Sequence, residues 1–302
     1  MFKKEGFRPF FFLSLRKYNL DMPLGNDVLL TGIPRSGTTL VCSILDEQSS
    51  VTALHEPIDP ASFDGVRGAR RAMNVVVSSV VRYREAIIDL GEVTSKQKEG
   101  RIPDNSVYKT QGDGLRAEIT RRGPVHVGEF VPDDLVLILK HNALFTSLLP
   151  DLAKALPVFA IVRNPLAVLA SWQTVDFPVN RGRVPMGERF DPALSQELDL
   201  LPETLSRQLK ILEWFFSRFR SYLARDRVIT YEEIISTQGR ELSRITGRPV
   251  ISSSFLSEQS YGRQLPAEKL LHLRDTLLAE PVIYDGFYSP DDVANLFDAA
   301  FS

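Results

Sequence analysis

One cysteine, Cys42, occurs among the 302 residues, so the chain forms no internal disulfide and a reducing, cytoplasmic setting is expected. Histidine is scarce, at four residues, and no Cys/His cluster or carboxylate spacing points to a metal. An excess of either charge is also missing. Against 36 Lys and Arg stand 38 Asp and Glu, and the resulting −2 leaves no basic field to attract nucleic acid. No apolar run reaches the ~18 residues of a membrane-spanning helix. Repeats and low-complexity segments are absent too. The composition that is present, with 43% hydrophobic and 25% charged residues, supports one large folded domain over residues 1–302 with a buried core.

Five apolar runs, at 27–32, 50–54, 134–140, 157–162 and 227–231, read as strands buried on both faces. Helical patterns separate most of them, at 37–48, 66–89, 143–155, 165–175 and 202–224, and others come later at 232–246, 267–279 and 290–300. This alternation predicts an α/β fold with a parallel sheet of about five strands and helices on both faces. Cys42 falls on the first helix as a packing residue. Residues 91–130 are polar and read as an irregular insertion, with a short strand pair near 107–109 and 125–127. The stretch 176–196 carries three prolines, two glycines and Arg181, Arg183 and Arg189, and is expected to be a gating loop. The extension 1–26 combines Lys3 and Lys4 with Phe10, Phe11 and Phe12. Packing against the domain is its first reading, and a weak peripheral membrane or partner contact is the alternative.

Between the first strand and the first helix lies Thr31-Gly32-Ile33-Pro34-Arg35-Ser36-Gly37-Thr38-Thr39-Leu40. A strand, a Gly-containing turn and a helix start make an anion cradle, because free N–H groups and the helix dipole face the ligand. Gly32 and Gly37 let the backbone wrap closely, and Ser36, Thr38 and Thr39 add hydroxyls. The G-K-[ST] ending of a Walker A loop is missing, and Arg35 stands inside the turn. A second motif lies after the fourth strand: Arg163-Asn164-Pro165, then Ser171 eight residues after Arg163, about two helical turns on. Pro165 suits a first helical position with Asn164 as its cap. Arg163 falls at the strand's C-terminal end, where open α/β sheets bind ligands.

Both motifs resemble those of sulfotransferases that use 3′-phosphoadenosine 5′-phosphosulfate (PAPS). Pro34-Arg35-Ser36-Gly37-Thr38-Thr39 is similar to the Arg form of their 5′-phosphosulfate loop, found in tyrosylprotein and many bacterial sulfotransferases. Arg163 and Ser171 match the 3′-phosphate motif. The resemblance implies a P-loop fold, PAPS as cosubstrate, no metal, and sulfuryl transfer to a hydroxyl or, as second choice, an amine. Arg35 is then the group that stabilises the leaving oxygens, since a guanidinium bridges two oxygens in one plane. Glu56 lies 21 residues after Arg35, as does the catalytic Glu of the tyrosylprotein enzymes. It leaves the second strand at the same sheet edge and is the candidate base, with His55 as its competitor. Strand alternation predicts that only one of the two faces the site. Lys140 ends a buried apolar strand and needs an anionic partner, which the sulfate would provide; it resembles the family's catalytic lysine. Tyr231 resembles a family tyrosine near the cofactor, and Gly262-Arg263 is the best match to the late segment that contacts the 3′-phosphate and adenine, although the full Gly-rich signature is missing. His141 has no assignment. The expected acceptor is a small molecule, a carbohydrate or a lipid, ahead of peptide tyrosine. Two other readings remain: a divergent P-loop small-molecule kinase, and a non-catalytic nucleotide-binding module.

Overall fold

The computed structural model describes residues 26–108, 114–127, 131–257 and 265–301. The N-terminal Phe cluster and Arg263 lie outside the described residues. In chain order the strands are β1 (Asp27–Gly32), β2 (Val51–His55), β3 (Glu92–Gln97), β4 (Val107–Tyr108), β5 (Ala117–Glu118), β6 (Arg121–His126), β7 (Val136–Lys140), β8 (Val158–Val162) and β9 (Val228–Thr230). Five of them form one parallel sheet in the order β2-β7-β1-β8-β9. All five expected strands are in it. Every residue of β1, β2, β7, β8 and β9 is buried, so these runs are mostly apolar instead of alternating, with buried polar residues such as Asp27, Thr31, His55 and Lys140 among them.

Successive residues point to opposite faces and feed two separate cores. Leu29, Leu137, Leu139 and Val162 pack into the larger one. Val28, Leu30, Ile138 and Ile161 pack into the smaller one, with Cys42 and Leu45 of helix α1 (Thr38–Asp46). Burial among these residues raises the Cys42 thiol far above its ordinary pKa, as expected of a packing residue. The larger core takes α2 (Ala69–Leu90), α3 (Ala143–Ala155), α4 (Pro165–Trp172), α5 (Pro185–Phe190), α6 (Pro192–Leu200) and α7 (Thr204–Tyr222). Beyond β9 come α8 (Tyr231–Ser236), α9 (Ser243–Thr246), α10 (Ala267–Ala279) and α11 (Pro290–Phe301). This is an α/β fold with the P-loop arrangement: a central β1, a Gly-containing loop, and α1. Among the described residues no helix is long and apolar enough to cross a membrane.

Three segments differ from the sequence expectation. Residues 107–108 pair with 117–118, and Val125 pairs with Val93, so the expected 107–109 with 125–127 pair does not form. The missed strand β3 is polar (Glu92, Thr94, Lys96) but buries Val93 and Ser95 between those residues, a two-residue alternation too short to stand out. The 176–196 stretch carries helices: a short helical turn over Pro178–Arg181, then α5 and α6. Pro178, Pro185 and Pro192 each open one of them, because a first helical turn has no use for the missing N–H. Its three arginines are ion-paired: Arg181 with Asp176 at 2.7 Å, Arg183 with Asp199 at 2.5 Å and with Glu188, and Arg189 with Asp64 at 3.5 Å. Finally, the expected 232–246 helix breaks at Gly239, whose φ of 85° lies in the left-handed region.

Candidate functional site

The parallel register brings the C-terminal ends of the sheet's strands to one edge. His55 pairs with Lys140, Gly32 with Ile161, and Val162 with Thr230. Each strand then delivers a site residue as it ends or just after: Glu56, Lys140, the 33–37 loop, Arg163 and Tyr231. They surround a cavity of about 610 Å³. A crevice beyond the carboxyl ends of the strands, at a central strand whose neighbours lead in opposite directions, is where ligands enter such sheets.

The loop is tied down on three sides. Ile33 N–H and Ser36 Oγ both donate to the Ile161 carbonyl, at 3.2 and 2.8 Å, and Trp172 Nε1 donates to the Pro34 carbonyl at 2.8 Å. A Cβ on Gly32 would lie 2.5 Å from the Ile161 oxygen, so only glycine allows this approach. Gly37, at φ 92°, packs against Tyr231, whose ring would sit 2.6 Å from an added Cβ. Arg35 itself has φ 74°, a left-handed conformation that costs a non-glycine residue about 1–2 kcal/mol. Strain of this kind is held in place by surrounding contacts and concentrates at functional turns. No side chain caps the N-terminus of α1, so its first N–H groups remain available beside Thr38 and Thr39, which line the cavity with Pro34, Arg35 and Gly37. Ser36 departs from expectation: its hydroxyl is turned into the sheet and used on Ile161, and its N–H donates to the Ile33 carbonyl at 3.0 Å.

Guanidinium groups converge behind the loop. Arg35 donates from Nε to Ser171 Oγ at 3.2 Å and from Nη1 to Asn105 Oδ1 at 3.3 Å. Arg163 is buried, with its guanidinium 3.7 Å from the centre of the Tyr231 ring. Asn164 caps α4 through Leu166 N–H at 3.0 Å, as expected, and α4 carries Ser171 to Arg35. Arg116, from β5's approach, joins this group. Burial first, and then the charges of Arg116 and Arg163, push Arg35 down to about 9. A partly desolvated cluster of like charges at a helix N-terminus is costly unless an anion completes it.

Glu56 sits on the opposite wall between two lysines. Lys140 Nζ reaches Oε1 at 3.0 Å and Lys96 Nζ reaches Oε2 at 2.9 Å; Lys96 also pairs with Glu118 at 2.8 Å. The anionic partner required by Lys140 is therefore Glu56. Burial opposes the Glu56 charge, but Lys140 and then Lys96 together outweigh it and hold the carboxyl well below the usual range. Both His55 and Glu56 line the cavity, whereas strand alternation allows one. The reason is the Glu56 backbone: φ of 45° breaks the extended path, and Arg122 Nη1 fixes the turn by donating to the Glu56 carbonyl at 2.9 Å.

The two histidines are neutral by burial. His141 Nε2 accepts Ile58 N–H at 3.1 Å and its ring meets Phe145 edge-on, so it is a structural acceptor pushed down to about 3 by burial. His55 is lowered well below its ordinary value, by burial first and then by Lys140. Groups depressed in the fold stabilise it above their unfolded value, about 6.5, and that stability is lost as pH falls toward the folded value. Chemical-denaturation midpoints should therefore drop steadily from pH ~6.5 toward pH ~3, and His141→Gln should flatten that slope. A flat profile in the parent would contradict neutral burial of both rings.

Asn105, Arg116 and Lys96 are the site residues that sequence reasoning missed. All three lie in the insertion, where no local pattern marks them; Lys96 sits on β3, which pairs with β6, and Arg116 is placed by its bridge to Val175. Ser95 makes that junction, accepting His55 N–H at 2.9 Å and donating to the His55 carbonyl at 3.1 Å.

No family model matches the chain, and no curated protein matches it. Among solved structures the chain is similar to a sulfotransferase from Alicyclobacillus acidocaldarius, with 14% identity and a TM-score of 0.41 over 91% of this chain and 95% of that one.

Proposed function

We propose that this chain is a PAPS-dependent sulfotransferase acting on a hydroxyl, with an amine as second choice, of a small-molecule, carbohydrate or lipid acceptor. The observation that carries this reading is the guanidinium cluster of half-buried Arg35 and Arg116 with buried Arg163 at the N-terminus of α1, in the same cavity as an ionised Glu56. The cluster calls for a ligand with strongly anionic groups. The carboxylate opposite calls for a partner that gives up a proton. A sulfuryl donor and a hydroxyl acceptor satisfy both walls at once. The single Cys42 suits a reducing, cytoplasmic setting.

When bound, PAPS supplies the sulfuryl group and leaves as adenosine 3′,5′-bisphosphate. The chain's own residues do the rest. The backbone of 34–39, with the Thr38 and Thr39 hydroxyls, holds the 5′ end. Arg163 and Ser171 hold the 3′-phosphate, and Tyr231 stacks on Arg163 and closes against Gly37. Arg35 offers two N–H groups in one plane for charge that develops on the leaving oxygens. Glu56 accepts the acceptor's proton. Lys140 keeps that carboxylate charged until the proton arrives.

Calorimetry tests the reading directly. Adenosine 3′,5′-bisphosphate should bind more tightly than AMP, ADP or ATP, because its 3′-phosphate gains charge-assisted hydrogen bonds from Arg163 and Ser171. ATP binding equal to or tighter than the bisphosphate would favour a kinase and end the sulfotransferase reading.

A further inference from the structure

We infer that the insertion between β2 and β7 is part of the anion site, and that its Arg116 is a binding residue for the same multiply charged phosphate or sulfate ester that Arg35 holds; for the ligand's nucleotide identity this rests on the sulfotransferase reading. Arg116 is positioned with unusual care for a surface loop. Its N–H donates to the Thr174 carbonyl at 2.9 Å and its carbonyl accepts Asp176 N–H at 3.0 Å, so it bridges Val175 like a strand residue. Its Nη2 donates to Thr174 Oγ1 at 2.6 Å. Thr174 Oγ1 in turn donates to the Ser171 carbonyl at 2.8 Å, which links Arg116 to the residue that Arg35 touches. The side chain lines the cavity, yet its Nε is buried with no hydrogen-bond partner. Its charge also bears on Arg35.

A structural arginine would be paired. Among the described residues neither Arg116 nor Arg35 meets a carboxylate; their side-chain contacts are Thr174, Ser171 and Asn105. A buried donor left unmade beside two more guanidiniums destabilises the empty protein, and an oxyanion in the cavity would satisfy it. The backbone ladder to 174–176 fixes where that donor points, so the ordering cost is met before the ligand arrives.

Two probes, adenosine 3′,5′-bisphosphate and inorganic pyrophosphate, separate this inference from the reading it rests on. Each is titrated by calorimetry into the parent, Arg116→Gln and Arg116→Lys, and thermal midpoints are taken without ligand. Arg116→Gln should weaken whichever probe the parent binds by about 10- to 100-fold, the worth of one charge-assisted hydrogen bond. Arg116→Lys should recover part of the loss, and the unliganded Arg116→Gln protein should melt no lower than the parent, because a like charge has been removed. Equal affinity in parent and Arg116→Gln overturns the inference, and so does an affinity loss that comes with a lowered midpoint, since that marks a structural arginine. A parent that binds pyrophosphate but not the bisphosphate sinks the sulfotransferase reading and leaves Arg116 tested by pyrophosphate. Binding of neither probe sinks both.

Discussion

Glu56→Gln should bind adenosine 3′,5′-bisphosphate like the parent yet lose about 10²–10⁴ of the turnover. The substitution keeps the side chain's shape and one oxygen to accept from Lys140 or Lys96, gives up the other contact because the amide nitrogen is a donor, and removes the basicity. Glu56 has three properties that a base at this position needs. It lines the cavity, it stays ionised because Lys140 and Lys96 together outweigh its burial, and its left-handed backbone is fixed by Arg122 and by its own N–H to the Lys140 carbonyl at 2.8 Å. The same charges set the parent's acid limb. A carboxyl held well below its ordinary value is active above that value and loses activity only as pH falls through it, so the rate should stay level down through about pH 5. His55→Ala should cost far less, because its ring is buried by the sheet edge, whereas Glu56 is held at the cavity wall between Lys140 and Lys96. Single-turnover rates for both variants decide between the candidates. A nearly active Glu56→Gln beside an inactive His55→Ala would move the role to His55.

The sheet was legible because its chemistry is uniform. A strand covered on both faces is built mostly of apolar residues, and β1, β2, β7, β8 and β9 are all of this kind. The residues that sit at their C-terminal ends could be read for the same reason: a charged or polar side chain terminating such a run, as Lys140 or Arg163 does, must meet a partner. Side-chain partners could not be read. Lys140 turned out to be bonded to Glu56, and the Ser36 hydroxyl was spent on Ile161. Pro178, Pro185 and Pro192 misled because proline both interrupts a helix and opens one, and only the residues on its C-terminal side distinguish the two. The insertion was the least legible. Its strands are short, half-exposed and polar, and its contribution depends on long-range pairing, β3 with β6 and Arg116 with Val175, that no local pattern encodes.

Arg35→Ala should cost about 10²–10³ in turnover beyond any loss of affinity, the usual worth of one donor aimed at developing charge. Three observations make this the most informative position of the loop. Its backbone is held in a left-handed conformation that any side chain except glycine resists, so the loop has been shaped to present this particular residue. Its side chain is braced at Nε by Ser171 and at Nη1 by Asn105, so no reorganisation is needed when charge appears. Its guanidinium is charged at neutral pH despite burial and two cationic neighbours, which lower it to about 9. These charges fix the sign of the pH effect. An anion raises the pKa of Arg35 in the complex, so binding takes up a proton above the free value, and bisphosphate affinity should weaken as pH rises past about 9. Arg35→Ala should abolish that alkaline dependence and, by relieving repulsion with Arg116 and Arg163, leave the unliganded protein at least as stable as the parent. Affinity titrations across the alkaline range, paired with single-turnover rates at saturating donor, read both effects. If saturation restored the parent rate to Arg35→Ala, the residue would be a binding group only, and the stabilisation of the leaving oxygens would have to come from the α1 N–H groups that it lies beside.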